Sequence, residues 1–311
     1  MQVFLYVTIT IGVIILFLFT SQMLRNSSIP ELTNEAKSLA PYNHVELSHG
    51  AIHYELKGPE DGPVAVLVHG FSTPLFIYEQ NIDALIEAGF RVLRFDHYGR
   101  GWSDRPKTDY DADLYDRTLI ELLDALQITQ PVHLVGLSMG GIISAEFTVR
   151  HPERVNKLVL LVPVGLTLAD QGLRGKLLRI PLIGDYIWDR FAVSRIANGY
   201  DESGFDPQHR LQGKINEQFK YRGVSAALLS TFRNLPMANC DSTYTQLEAT
   251  KVPTMAIFGT DDETVLIESS ARLRALAPSA KIIDIKGAGH GLNFQNFETV
   301  NPLLVEFLTQ R

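Results

Sequence analysis

PVHLVGLSMG, residues 131–140, runs directly into GIISAEFTVR, residues 141–150, and this stretch decides how the chain is read. An apolar run, Val132–Val135, leads into Gly136-Leu137-Ser138-Met139-Gly140, the pattern G-x-S-x-G. A helical pattern begins at once after it. Such a strand-to-helix turn forces its central residue into a strained backbone and lifts that side chain out at the edge of a sheet. Glycines on both sides keep the turn free of clashes. The helix N-terminus then offers N–H groups and a positive dipole end to developing negative charge. A serine-capped glycine turn shows the same letters, but the strand before and the helix after single out Ser138 as a nucleophile.

Working outward, other segments share the character of the first. PVAVLVHG (Pro63–Gly70), FRVLRFDHYG (Phe90–Gly99), KLVLLVP (Lys157–Pro163), PTMAIFG (Pro253–Gly259) and KIIDIKG (Lys281–Gly287) are short apolar runs. Runs of this kind suit strands buried on both faces. HVELSHGAIHYEL (His44–Leu56) reads as an antiparallel hairpin. Helical patterns lie between them at Ile77–Ala88, Leu114–Leu126, Gly141–Arg150, Glu268–Ala275 and Val300–Gln310. This alternation predicts an α/β chain: a mostly parallel central sheet with helices on both faces. Residues 164–240 break the pattern. They hold no convincing buried strand and are punctuated by Gly172, Gly175, Pro181, Gly184, Gly204 and Pro207. An insertion of helices and turns between two core strands reads as a lid, which leaves residues 45–163 and 241–311 as the core.

A serine hydroxyl is a weak nucleophile and needs a base. His290, in Gly289-His290-Gly291 after the strand-like KIIDIKG, stands in a loop from which it can reach Ser138. The base needs a carboxylate to fix its tautomer. Asp261, Asp262 and Glu263 cluster after the strand ending at Gly259. Asp262, midway between Gly259 and Val265, is the preferred acid over Asp261 and Glu263. The preceding core strand ends in LLVPVG with no carboxylate before Asp170, which closes the alternative source. For the oxyanion, one donor should be the Met139 N–H. The other should come from His69-Gly70-Phe71-Ser72, with Phe71 N–H preferred and Ser72 second. His69 is expected to brace that loop. This chemistry calls for no cofactor and no metal.

The 311 residues are 45% hydrophobic and 20% charged, enough for a large core without disulfide or metal staples. The one cysteine, Cys240, excludes an intramolecular disulfide and any cysteine-cluster metal site. A formal charge of -7 argues against a nucleic-acid partner. The N-terminus differs from the rest. No charged residue precedes Arg25, and VFLYVTITIGVIILFLFT (Val3–Thr20) is long enough to span a bilayer. A cleaved signal would want a basic leader and a small-residue cleavage site, and neither is present. Residues 1–24 therefore read as a single-pass anchor placing the protein at a membrane, ahead of a buried core helix. Arg25 alone gives too little charge asymmetry to orient it. Residues 25–44 read as a polar linker.

Together these residues resemble the α/β-hydrolase fold family over roughly residues 45–311. The motifs are HGF at His69–Phe71, DxxGxGxS at Asp96–Ser103, GLSMGG at Gly136–Gly141, GTDDETV at Gly259–Val265 and GAGH at Gly287–His290. The chain order Ser, Asp, His is the family's. HGFSTPLF and RFDHYGRGWSDRP look like monoacylglycerol-lipase-like and lysophospholipase-like members, some of which carry an N-terminal anchor. The resemblance implies that Asp96, Arg100 and Ser103 hold a structural loop. Ser138 departs from the Asp nucleophile of epoxide hydrolases and haloalkane dehalogenases, and Leu137-Ser138-Met139 departs from the proline iminopeptidase pattern. Carbon–carbon bond hydrolases share the triad and stay open.

The expected function is a membrane-anchored ester hydrolase acting on acyl lipids such as monoacylglycerol or lysophospholipid. Small-ester carboxylesterase, thioesterase and carbon–carbon hydrolase activities share the same residues, and a catalytically silent binder is the other class. Gly172–Trp188 mixes Leu, Ile and Trp with Arg174, Lys176 and Arg179, which suits an interfacial helix. An ordinary lid helix packed on the core shows the same composition.

Overall fold

The computed structural model of the protein describes residues 2–167, 172–198 and 211–310. Met1, Asp170, Gly204, Pro207 and the rest of 168–171, 199–210 and 311 lie outside the described residues. Eight strands form one sheet: β1 (Asn43–Leu47), β2 (Gly50–Lys57), β3 (Val64–Val68), β4 (Arg91–Phe95), β5 (Val132–Leu137), β6 (Val155–Leu161), β7 (Thr254–Gly259) and β8 (Lys281–Ile285). Their order is β1-β2-β4-β3-β5-β6-β7-β8. β2 runs antiparallel to both β1 and β4, and every other neighbouring pair is parallel.

Side chains alternate across a strand with period two, so each central strand feeds two cores. Val66, Val68, Leu134, Leu158, Leu160, Ala256 and Phe258 enter one hydrophobic cluster. Their neighbours Ala65, Leu67, Val135, Leu137, Val159, Leu161, Met255 and Ile257 enter the other. Helices Ala112–Ala125, Met139–Arg150 and Asp241–Thr250 cover the first face, and Glu79–Glu87 and Phe297–Thr309 the second. The edge strands β1 and β8 keep no fully buried residue. Helix boundaries follow local chemistry. Ala112–Ala125 begins where the Asp111 side chain accepts from Leu114 N–H at 2.9 Å, two residues before the expected start. The predicted helix from Ile77 opens instead with a tight turn, Leu75–Tyr78, before Glu79–Glu87.

Between β6 and β7 the described residues form short helices, Gly172–Leu178, Ile183–Ile187, Val193–Asn198, Gln212–Gln218 and Val224–Asn234, with a wider π turn at Trp188–Ala192. Their own small core is Leu178, Trp188, Val193, Val224, Leu228 and Leu229. The apolar N-terminal segment is one helix, Gln2–Ser28, and its window Thr8–Arg25 is long and apolar enough to cross a membrane.

Candidate active site

All the candidate site residues follow the carboxyl ends of parallel strands, where open α/β sheets bring loops together. Ser138 follows β5, Asp262 lies three residues beyond β7, His290 lies in the loop after β8, and Phe71 lies three beyond β3.

Ser138 has φ 54° and ψ -113°. A side chain in that region costs about 1–3 kcal/mol and persists only where the surroundings impose it. Ser138 N–H donates to Leu161 C=O at 2.8 Å, and its own C=O accepts from Gly141 N–H at 2.9 Å. The flanking glycines are required by close approach. A Cβ on Gly136 would collide with the Gly140 carbonyl, and one on Gly140 would collide with the Val68 and His69 carbonyls. The helix Met139–Arg150 can therefore start hard against β3 and β5 only if both positions lack side chains.

His290 Nε2 lies 2.9 Å from Ser138 Oγ, and His290 Nδ1 lies 2.8 Å from Asp262 Oδ2. The Asp262 side chain is fully buried, and that of His290 is one-third exposed. Asp262 Oδ1 accepts from Thr264 N–H at 2.7 Å and Val265 N–H at 2.9 Å. Both carboxylate oxygens are thus committed, and the ring is held with Nδ1–H toward Asp262 and Nε2 toward the hydroxyl. Asp261 and Glu263 are exposed, and Asp261 Oδ1 accepts from the Thr260 hydroxyl at 2.8 Å, so neither engages His290.

Met139 is the first residue of its helix and is fully buried. Phe71 is half-buried in the loop after β3. Neither backbone N–H donates to another described residue. Beneath Phe71 lies a buried polar network. His69 Nδ1–H donates to Gly70 C=O at 2.8 Å, and its Nε2 accepts from His97 N–H at 2.9 Å. Burial pushes His69 down to about 4 and His97 well below its usual value, so both rings are neutral at pH 7. Asp96 Oδ1 accepts from Leu75 N–H at 2.8 Å, and Oδ2 accepts from Trp102 N–H at 3.0 Å and His53 Nδ1–H at 2.7 Å. Ser103 Oγ donates to Asp96 C=O at 2.6 Å.

The sequence contains no signal for how far this network reaches. Arg100, wholly buried, donates from Nε to Phe71 C=O at 3.0 Å and from Nη2 to Thr231 Oγ1 at 2.8 Å. Gln218 Nε2 donates to Ser72 C=O at 2.8 Å. Thr231 and Gln218 both belong to helices inserted between β6 and β7. Trp188 of that insertion meets the Phe71 ring edge-on, with centroids 6.3 Å apart. The loop carrying Phe71 is therefore held from the far side by the insertion. Among the described residues no group of His, Cys, Asp and Glu side chains is arranged to hold a metal ion.

With this geometry in view, known proteins place the chain. Residues 65–303 match the model of a family described as the alpha/beta hydrolase family. The 2-hydroxy-6-oxo-6-phenylhexa-2,4-dienoate hydrolase of Comamonas testosteroni is 27% identical over 289 residues, covering 90% of this chain and 99% of that one. A carboxylesterase from Bacillus subtilis superposes with a TM-score of 0.70 at 23% identity, covering 93% of this chain and 99% of its own. The enol-lactonase from Burkholderia xenovorans gives 0.71 at 22% identity, covering 86% and 100%. The two superpositions are likenesses of fold.

Proposed function

Because the chain belongs to the alpha/beta hydrolase family and is a hydrolase, we propose that it cleaves carboxylic esters through an acyl-enzyme on Ser138. The observation that carries this reading is the continuous relay Asp262–His290–Ser138, with both links at hydrogen-bond distance. In this reading His290 Nε2 takes the Ser138 proton as Oγ attacks the ester carbonyl. The Met139 and Phe71 N–H groups receive the oxyanion. His290 then returns the proton to the departing alkoxide. Water, deprotonated by His290, breaks the acyl-enzyme and regenerates Ser138. Asp262 orients the ring and balances the imidazolium, and no cofactor is called for.

The proposed substrate is an acyl lipid presented at a membrane, of monoacylglycerol or lysophospholipid type. Two features support it. In this reading the helix Gln2–Ser28 is a single-pass anchor, and residues 29–42 link it to β1. The insertion, residues 164–240, serves as a lid whose aromatic and aliphatic side chains pack toward Phe71, beside the nucleophile. A second reading, carbon–carbon bond hydrolysis, has one observation in its favour: the Comamonas relative is named a hydrolase of a 2-hydroxy-6-oxodienoate and aligns over nearly its whole length. A hydrolysis panel separates the two. p-Nitrophenyl acetate, p-nitrophenyl octanoate, a monoacylglycerol and a 2-hydroxy-6-oxodienoate are compared in one detergent. Turnover of the dienoate without ester turnover would discard the esterase reading.

A further inference from the structure

Outside the N-terminal helix, large hydrophobic side chains with high exposure are few among the described residues. Two sit in the linker. The other five, Leu173, Ile180, Leu182, Ile183 and Phe191, share one stretch of the insertion, with Leu173 72% and Phe191 68% exposed. The charges of that stretch are one-sided. Residues 172–198 carry Arg174, Lys176, Arg179, Arg190 and Arg195 against Asp185 and Asp189. Asp185 pairs with Arg233 at 3.1 Å, and Asp189 is buried. Lys176, Arg179, Arg190 and Arg195 face outward. An apolar patch interleaved with cations matches the boundary of an anionic bilayer.

The N-terminal helix rests on the same stretch. The Phe17 and Tyr186 rings lie 6.3 Å apart, and Arg190 Nη2 donates to Ser21 Oγ at 3.1 Å. Gln22 Nε2 donates to the buried Asp189 carboxylate, which also accepts from Ser225 Oγ. These contacts set depth. The apolar run ends at Thr20, so Ser21 and Gln22 mark the level where hydrocarbon gives way to headgroups. At 1.5 Å per residue, Phe17 lies about 6 Å deeper than Ser21. Tyr186 beside Phe17 then occupies the aromatic belt, and Arg190 beside Ser21 occupies the phosphate level.

We propose that the face from Leu173 to Phe191 is a membrane-contact surface for anionic phospholipid, held near the bilayer by the N-terminal helix and drawn onto it by anionic headgroups. The inference rests on reading that helix as an anchor. It joins the anchor and the insertion in one device. The outer side of the insertion meets lipid, while its inner side, Leu178 and Trp188, packs with Phe71.

The test uses the full chain in vesicles of phosphatidylcholine and phosphatidylglycerol. Cys240 is buried and is the only cysteine, so an introduced cysteine takes a bimane label selectively. Three variants are compared: Ile14→Cys in the helix, Phe191→Cys on the face, and Glu153→Cys at the amino end of β6. Brominated acyl chains should quench the first two at least about twofold more than the third, as expected for residues at or below the acyl boundary. Replacing phosphatidylglycerol by phosphatidylcholine should reduce quenching at position 191 and leave position 14 unchanged. Quenching at 14 with position 191 no different from 153 overturns the inference while the anchor reading stands. Quenching at neither overturns the anchor reading and the inference with it. Bimane at 191 shielded from both lipid and water in a dimer would assign the face to a second copy and also overturn it.

Discussion

Replacing Asp262 by Asn tests the relay at the point where the structure is most restrictive. Asp262 Oδ1 accepts two backbone N–H groups, from Thr264 and Val265. An asparagine must leave its carbonyl oxygen facing those donors, because turning its NH2 toward them would bury two opposed donors. Its NH2 group then faces His290 Nδ1, which has to become an acceptor. The ring responds by moving its proton to Nε2, the nitrogen 2.9 Å from Ser138 Oγ, and can no longer take the serine proton. A wrong tautomer of this kind lowers kcat by about 10⁴, or ~5.5 kcal/mol in the barrier. Asp261→Asn removes an exposed charge, its amide oxygen still able to accept from the Thr260 hydroxyl, and should change kcat less than about twofold, the range of an ordinary surface substitution. The assay is kcat on p-nitrophenyl octanoate for both variants, with circular dichroism to show that both fold. If Asp262→Asn kept more than a tenth of wild-type turnover, or Asp261→Asn were the worse, the reasoning would be refuted.

Gly140→Ala should destabilise the fold by at least the ~1–3 kcal/mol of overpacking, because its Cβ meets the Val68 and His69 carbonyls rather than a yielding side chain; urea unfolding checks this. His53 should make stability pH-dependent. Burial opposes its charge, but the Asp96 carboxylate outweighs this and raises its pKa above 6.5. That contribution is complete below pH 6.5 and fades as pH rises through the higher folded value, so the urea-midpoint gap between wild type and His53→Gln should narrow from acid to alkaline solution. A gap that widened instead would reverse the assignment of the charged pair. On substrate, octanoate should exceed acetate in kcat/KM. Six added methylenes offer up to about 5 kcal/mol before ordering costs, and a preference for acetate would contradict the acyl-lipid proposal.

The sheet was legible because the central strands are mostly apolar on both faces, and short Gly-terminated runs such as Pro63–Gly70 and Pro253–Gly259 can pack in few other ways. Ser138 was legible as a candidate because its turn tolerates so few residues: Gly136 and Gly140 are forced by backbone contacts that leave a mark in the letters. Asp262 was less so. Three adjacent carboxylates look alike in a string apart from position, whereas in the structure the middle one alone is buried, meets the N–H groups of Thr264 and Val265, and lies 2.8 Å from His290. The link from Arg100 to Thr231 spans 131 residues and joins ordinary residue types, so no local pattern announces it. The junction of Gln22 with Asp189 was hidden for the same reason, since an apolar run predicts a span but not what packs on its end.

The most direct test of the whole account is chemical. A fluorophosphonate, whose tetrahedral adduct needs the nucleophile, the base and the oxyanion donors together, is allowed to react with the full chain, and the digested protein is mapped by mass spectrometry. The account predicts one adduct, on the peptide containing Ser138, and parallel loss of ester turnover. Ser138→Ala should show neither adduct nor activity, given the roughly 10⁶ that a triad nucleophile contributes to kcat. Ester hydrolysis that persists in Ser138→Ala, or an adduct on any other residue, would contradict it.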